Sequence, residues 1–161
     1  MRHAVSDRIT DLLGRQGCWY ETFEHEPVRT SEEAARVRPG YTLQQGAKAL
    51  IVRAKDADGE RVFVMLVMPA DRRFDKKKLR DNAGLRNTRF ATAEEVAEIT
   101  GGVEPGGVPP FGRLFGLDVI CDPALFDNEK IVFNAGDRSF SVGMRSEDYR
   151  RIAEPQVVEI T

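Results

Sequence analysis

The run Arg61-Val62-Phe63-Val64-Met65-Leu66-Val67-Met68 constrains the fold of this chain more than any other stretch. Along an extended strand successive side chains point to opposite faces, and here both alternate sets, Val62/Val64/Leu66/Met68 and Phe63/Met65/Val67, are apolar. Such a strand must be covered on both sides, which puts it at the centre of a sheet. The β-rich run Ala47 to Lys55 precedes it, and Asp58-Gly59 between the two is the strongest hairpin signal in the chain.

Helices and further strands alternate around this pair. Ser6 is the expected cap of a first helix whose Ile9, Leu12 and Leu13 recur at helical spacing, with Gly17 as its stop. Trp19 to Glu24 reads as extended. Thr30 with Glu33 forms a capping box for a short helix that Pro39-Gly40 ends, and Thr92 with Glu95 forms another for a helix ending at Gly101. Asp75 caps a basic helix closed by Gly84, and Asn87 to Ala91 is a short strand. Strands at Leu117–Cys121, Lys130–Asn134 and Phe140–Met144, a helix capped by Ser146 and a last strand near Val157–Ile160 complete the pattern. The expectation is an α+β fold: a single domain over 1–161 with a curved, mostly antiparallel mixed sheet flanked by helices.

Between the Gly101 stop and the next strand, residues 101–112 hold five glycines and three prolines, a composition that excludes regular helix or strand and predicts a shaped loop. It is either a long surface connection or a loop that offers backbone N–H groups to a carbonyl oxygen or phosphate.

A net charge of −2 removes the electrostatic footprint of a protein that coats duplex nucleic acid, so any such contact is local. The one dense basic cluster, Arg72, Arg73, Lys76, Lys77, Lys78 and Arg80, is either a solvated helix face or a phosphate-tracking patch. The longest apolar run, Val62 to Ala70, is far short of a membrane helix, and the expected location is cytoplasmic, with no membrane partner. Cys18 and Cys121 lack metal-ligand spacing and read as free thiols; neither a metal nor another cofactor is expected.

Lys48 is the side chain that physical argument singles out. It shares a strand face with Leu50 and Val52, so its ammonium lies at the strand's solvent end or in a pocket over an apolar floor, where it needs a carboxylate or a phosphate. His25 stands in a loop before Pro27, and Asn134 to Ser139 reads as a hairpin turn. With His3 the only other histidine, no Ser/His/Asp or Cys/His set can be assembled.

Six stretches in order carry a family resemblance: His25-Glu26-Pro27-Val28-Arg29-Thr30 before Glu32-Glu33-Ala34-Ala35; Gly46 to Val52 with its lysine; Phe74 to Arg80; Ala93 to Val96; Gly106 to Gly112; and Phe133 to Gly136. Across about residues 20–160 the chain resembles the YbaK/EbsC/ProX family of free-standing aminoacyl-tRNA editing domains, which are similar to the insertion domain of bacterial prolyl-tRNA synthetases. The resemblance implies hydrolysis of the ester joining a small wrong amino acid (Ala, Cys, Ser or Thr) to the terminal ribose of tRNA, most often tRNA for proline. It implies that Lys48 engages the phosphate–ribose end, that Gly106, Gly107, Val108 and Pro110 form the loop beside the aminoacyl group, and that Asn134, Ala135 and Gly136 make a pocket wall. His25 and Thr30 are candidate substrate contacts in the first motif, while Arg73, Lys76, Lys77 and Arg80 are candidate contacts to the acceptor stem. The implied partners are the acceptor end of aminoacyl-tRNA and a synthetase. Non-catalytic tRNA- or synthetase-binding and DNA-binding regulation are the competing classes.

Overall fold

The computed structural model describes residues 3–28 and 30–161. Its elements in chain order are α1 (Ala4–Arg15), β1 (Tyr20–Glu24), α2 (Ser31–Arg36), β2 (Ala47–Lys55), β3 (Arg61–Pro69), α3 (Lys76–Ala83), β4 (Arg86–Phe90), α4 (Ala93–Thr100), β5 (Val119–Cys121), β6 (Lys130–Asp137), β7 (Phe140–Arg145), α5 (Ser146–Ala153) and β8 (Gln156–Val157). The α+β class and the mostly antiparallel pairing match the expectation, and the strands divide between two sheets. One holds five strands in the order β4-β2-β3-β5-β8, with β3–β5 and β5–β8 parallel; the other is the antiparallel set β1-β7-β6.

The two-sided strand β3 explains the layering. Its Met65 and Val67 join Ile131, Phe133 and Val142 of the smaller sheet and Ile9 and Leu13 of α1 in the main core, while Val64, Leu66 and Met68 pack beneath Leu79 of α3 in a second one. Full burial of each such side chain contributes roughly 1.5–3 kcal/mol relative to exposure. No helix among the described residues is long and apolar enough to cross a membrane.

Local signals set most boundaries. Thr92 and Glu95 exchange both capping bonds, Asp75 accepts from the Lys77 and Lys78 amides, and Gly84 and Gly101 close their helices in the left-handed region. Two serines depart from expectation because a distant carbonyl competes for each hydroxyl. His3 caps α1 instead, its Nδ1 accepting from the Val5 amide, while buried Ser6 donates to the Ala135 carbonyl at 2.6 Å. Ser146 is the first residue of α5 and donates to the Asn128 carbonyl at 2.5 Å.

Asn134-Ala135-Gly136 lies within β6, and the hairpin turn is carried by Arg138-Ser139 between the paired Asp137 and Phe140. Pairing slips between Asn134 and Asp137, where Gly136 has φ +94° and a Cβ would stand 2.9 Å from the Ser6 nitrogen. Only glycine satisfies both conditions. The Gly/Pro stretch includes short 3-10 turns at Pro105–Gly107 and Gly112–Phe115. Phe111 anchors it: 2% exposed, the ring meets Phe133 and Tyr149 edge-on at 5.7 and 5.2 Å, and the Tyr149 hydroxyl donates to the Pro110 carbonyl at 2.8 Å.

Candidate active site

Where β2 begins, an open cavity of about 280 Å³ lies between residues of β2 and β6. Its walls come from α2, the segment after it, residues 46–50, the anchored Gly/Pro loop and β6. Of the residues singled out in the sequence, Lys48, Thr30, Gly106, Val108 and Asn134 line this one space.

Lys48 is half-buried, and its Nζ donates to the Arg72 carbonyl in the connection leading to α3. Burial lowers its pKa first and the Arg73 cation adds to that, while Asp71 and Glu32 oppose the shift. The ammonium therefore joins the cavity to the start of the basic segment, a linkage that a strand-end lysine pointing into solvent would not make. The exposed Arg73, Lys76, Lys77 and Arg80 are outside the cavity lining, and Arg80 pairs with Asp81 at 3.1 Å.

The loop residues divide by depth. Gly106 and Val108 face the cavity, but the Gly107 amide donates to the Glu104 carbonyl at 2.8 Å, closing a turn and leaving that N–H committed. Gly107 is buried behind the wall, where an added Cβ would meet the Asp137 nitrogen at 3.3 Å and the Gly136 carbonyl carbon at 3.4 Å. Pro110 is also set back, its carbonyl held by Tyr149. Ala135 and Gly136 are buried against α1 rather than exposed in the cavity wall. Thr30 Oγ1 accepts from the Glu33 amide at 3.1 Å as the cap of α2, and Arg29 lies outside the described residues.

A polar network beneath the cavity includes a residue that sequence reasoning missed. Arg38 is 6% exposed; its Nε donates to Ser141 Oγ at 3.0 Å and its Nη2 to Asn134 Oδ1 at 2.6 Å. Asn134 Nδ2 in turn donates to the Gly106 carbonyl at 2.7 Å, fixing the loop. His25 stands behind the network rather than in the cavity lining: Nδ1 donates to the Glu26 carbonyl and Nε2 shares a 2.8 Å bond with Ser141 Oγ. Burial lowers the Arg38 pKa to about 10, so the cation persists at neutral pH. Tyr41 also lines the cavity, its hydroxyl pKa raised by burial and then by Glu21. Nothing in the local pattern around Arg38-Pro39-Gly40 separates it from a solvated charge, since its partners are 96 and 103 residues away.

Among the described residues no cluster of three or more His, Cys, Asp or Glu side chains is placed to hold a metal ion. The arrangement offers a cationic side chain, a buried guanidinium and backbone amides around a small, partly apolar space. Cationic and N–H donors of these kinds can bind and polarise a carbonyl or phosphate oxygen.

The model of the aminoacyl-tRNA editing domain family matches residues 25–152. The multifunctional Ser/Thr-tRNA deacylase ProXp-y of Escherichia coli strain K12 is 36% identical over 152 residues, covering 94% of this chain and 89% of the relative. The prolyl-tRNA editing protein ProX of Acetoanaerobium sticklandii is 27% identical, with 84% and 82% covered. A proline–tRNA ligase of Stenotrophomonas maltophilia is 29% identical over 132 residues, and there the match spans 23% of the ligase. A crystal structure described as that of a candidate trans-editing enzyme for prolyl tRNA synthetase shares the fold at TM-score 0.82 and 24% identity, over 100% of this chain and 99% of the other.

Proposed function

The chain belongs to the aminoacyl-tRNA editing domain family, and from that premise we propose that residues 1–161 form one editing domain, a cytoplasmic deacylase that clears small amino acids wrongly esterified to tRNA. The candidate substrates are alanyl, cysteinyl, seryl and threonyl esters, most often on tRNA for proline, with a synthetase as a further partner. The observation that carries this reading is the convergence of Lys48, Gly106, Val108 and Asn134 on one cavity of about 280 Å³. That volume is near the lower end for small-ligand sites and favours a small aminoacyl group.

The ester is already activated, so positioning can supply much of the rate enhancement. Lys48 holds a phosphate of the terminal nucleotide by a charge-assisted bond. Water adds to the ester carbonyl, the amides of Gly106 and Val108 stabilise the developing oxyanion, and collapse breaks the bond to the ribose oxygen, releasing the amino acid and tRNA. Each well-placed donor of this kind contributes roughly 2.7–4 kcal/mol. The vicinal ribose hydroxyl assists the water. Asn134 holds the Gly106 peptide in place through its carbonyl. Arg73, Lys76, Lys77 and Arg80 meet the phosphates of the acceptor stem.

Purified protein incubated with a panel of alanyl-, cysteinyl-, seryl-, threonyl- and prolyl-tRNA for proline tests the proposal. Hydrolysis of at least one mischarged ester well above its spontaneous rate, with the prolyl ester spared, is the expected result. Tight binding without hydrolysis of any ester would make the protein a non-catalytic tRNA-binding module.

A further inference from the structure

Among the described residues no carboxylate pairs with the Arg38 cation. Its two hydrogen-bond acceptors, Ser141 Oγ and Asn134 Oδ1, are neutral, and burial lowers its pKa with no neighbouring carboxylate to oppose it. A guanidinium has five N–H groups, and these bonds occupy two. Nη1 approaches Gly46, 3.9 Å from the position a Cβ there would take, and both residues line the cavity. Nη1 has no hydrogen-bond partner among the described residues and is not sealed from solvent, so it is open to an acceptor that a ligand brings into the cavity.

The guanidinium is also held in a fixed orientation, as selective recognition requires. Asn134 is bound at both ends, its Oδ1 accepting from Arg38 while its Nδ2 is tied to the Gly106 carbonyl. Ser141 is further held by His25. Arg38 therefore stands one amide group away from the loop assigned to the ester, where it can meet the aminoacyl group.

We infer that Arg38 is a specificity-determining residue of the editing reaction, donating to an oxygen on the side chain of the esterified amino acid and so favouring seryl and threonyl over alanyl and cysteinyl esters. The inference rests on the deacylase reading above. A hydroxyl oxygen accepts from the guanidinium, a thiol sulfur accepts weakly, and the methyl of alanine not at all. Sites built to bind a substrate hydroxyl reject analogues lacking it by up to about 10⁴–10⁵; an open cavity, where water fills the gap, reduces that to at least about tenfold.

The test is kcat/KM for the four mischarged esters with wild-type protein, Arg38→Met and Arg38→Lys. Wild type is expected to prefer the seryl and threonyl esters by at least about tenfold; Arg38→Met loses that preference, read as the ratio of seryl and threonyl to alanyl rates so that any common loss through the Asn134-held loop cancels, and Arg38→Lys restores part of it. Equal wild-type rates on all four esters, or an equal loss on all four in a folded Arg38→Met protein, would overturn the assignment. Hydrolysis of none by wild type would instead remove the deacylase reading itself. Should Arg38→Met fail to fold, the wild-type Kd values for stable 3′-seryl-amide and 3′-alanyl-amide adenosine decide: at least about tenfold tighter seryl binding supports the role, and equal binding removes it.

Discussion

A thiolate is the strongest nucleophile this chain has to offer, yet neither cysteine lines the cavity. Burial pushes both thiols up; Asp148 adds to this at Cys18, where Arg151 opposes it, and Asp122 adds to it at Cys121. A Cys18→Ala/Cys121→Ala protein should keep kcat/KM within about threefold and lose on the order of 1 kcal/mol of stability, chiefly at fully buried Cys121. Deacylation and denaturant titration check this, and a folded but inactive double variant would restore the thiol as nucleophile. The same distinction governs what the sequence reveals about side chains. Lys48, Gly106 and Val108 stand out because a strand lysine and a Gly/Pro loop are unusual within their own neighbourhoods. Arg38 and Ser141 gain their meaning only from contact across about a hundred residues, and no local pattern marks them.

Helices α3 and α4 were legible because their caps are local: Asp75, Thr92, Gly84 and Gly101 bond within a few residues of where they stand. Ser6 and Ser146 looked equivalent, and long-range acceptors took them elsewhere. Similar long-range bonds hold the segment that follows β8. Asp122, 2% exposed, accepts from the Ile160 and Thr161 amides and the Thr161 hydroxyl through Oδ2, and from the Ala124 amide through Oδ1. Burial alone would raise its pKa, but these bonds outweigh it and hold the carboxyl below its ordinary value of 3.8. The stability so gained is complete above that value and is lost as pH falls through the lower folded-state pKa. Asp122→Ala should therefore cost about 2–4 kcal/mol at pH 7, with the gap to wild type narrowing in strong acid. Urea unfolding across that range measures it, and a gap independent of pH would show that the charge contributes nothing.

At the scale of the whole molecule, the central placement of β3 followed from its two apolar faces, whereas the division into two sheets did not. β1 pairs with β7, more than a hundred residues later, and no periodicity encodes that choice. Charge is arranged at this scale too: the chain carries a net −2, yet the segment leading from Lys48 into α3 exposes Arg73, Lys76, Lys77 and Arg80. Changing these four to Gln should weaken tRNA binding and flatten its salt dependence by up to about 0.9 in slope for each phosphate no longer neutralised, while hydrolysis of a minimal aminoacylated adenosine continues. An unchanged slope would leave the cluster as a solvated face. The most direct test of the account compares wild type with Lys48→Ala in single-turnover deacylation of mischarged tRNA for proline. Wild type should hydrolyse at least one small ester far above its spontaneous rate. Lys48→Ala should lose most of that activity while giving up no more than about 1 kcal/mol of stability, the worth of one hydrogen bond. A folded Lys48→Ala protein with wild-type turnover would contradict the assignment of this cavity as the active site.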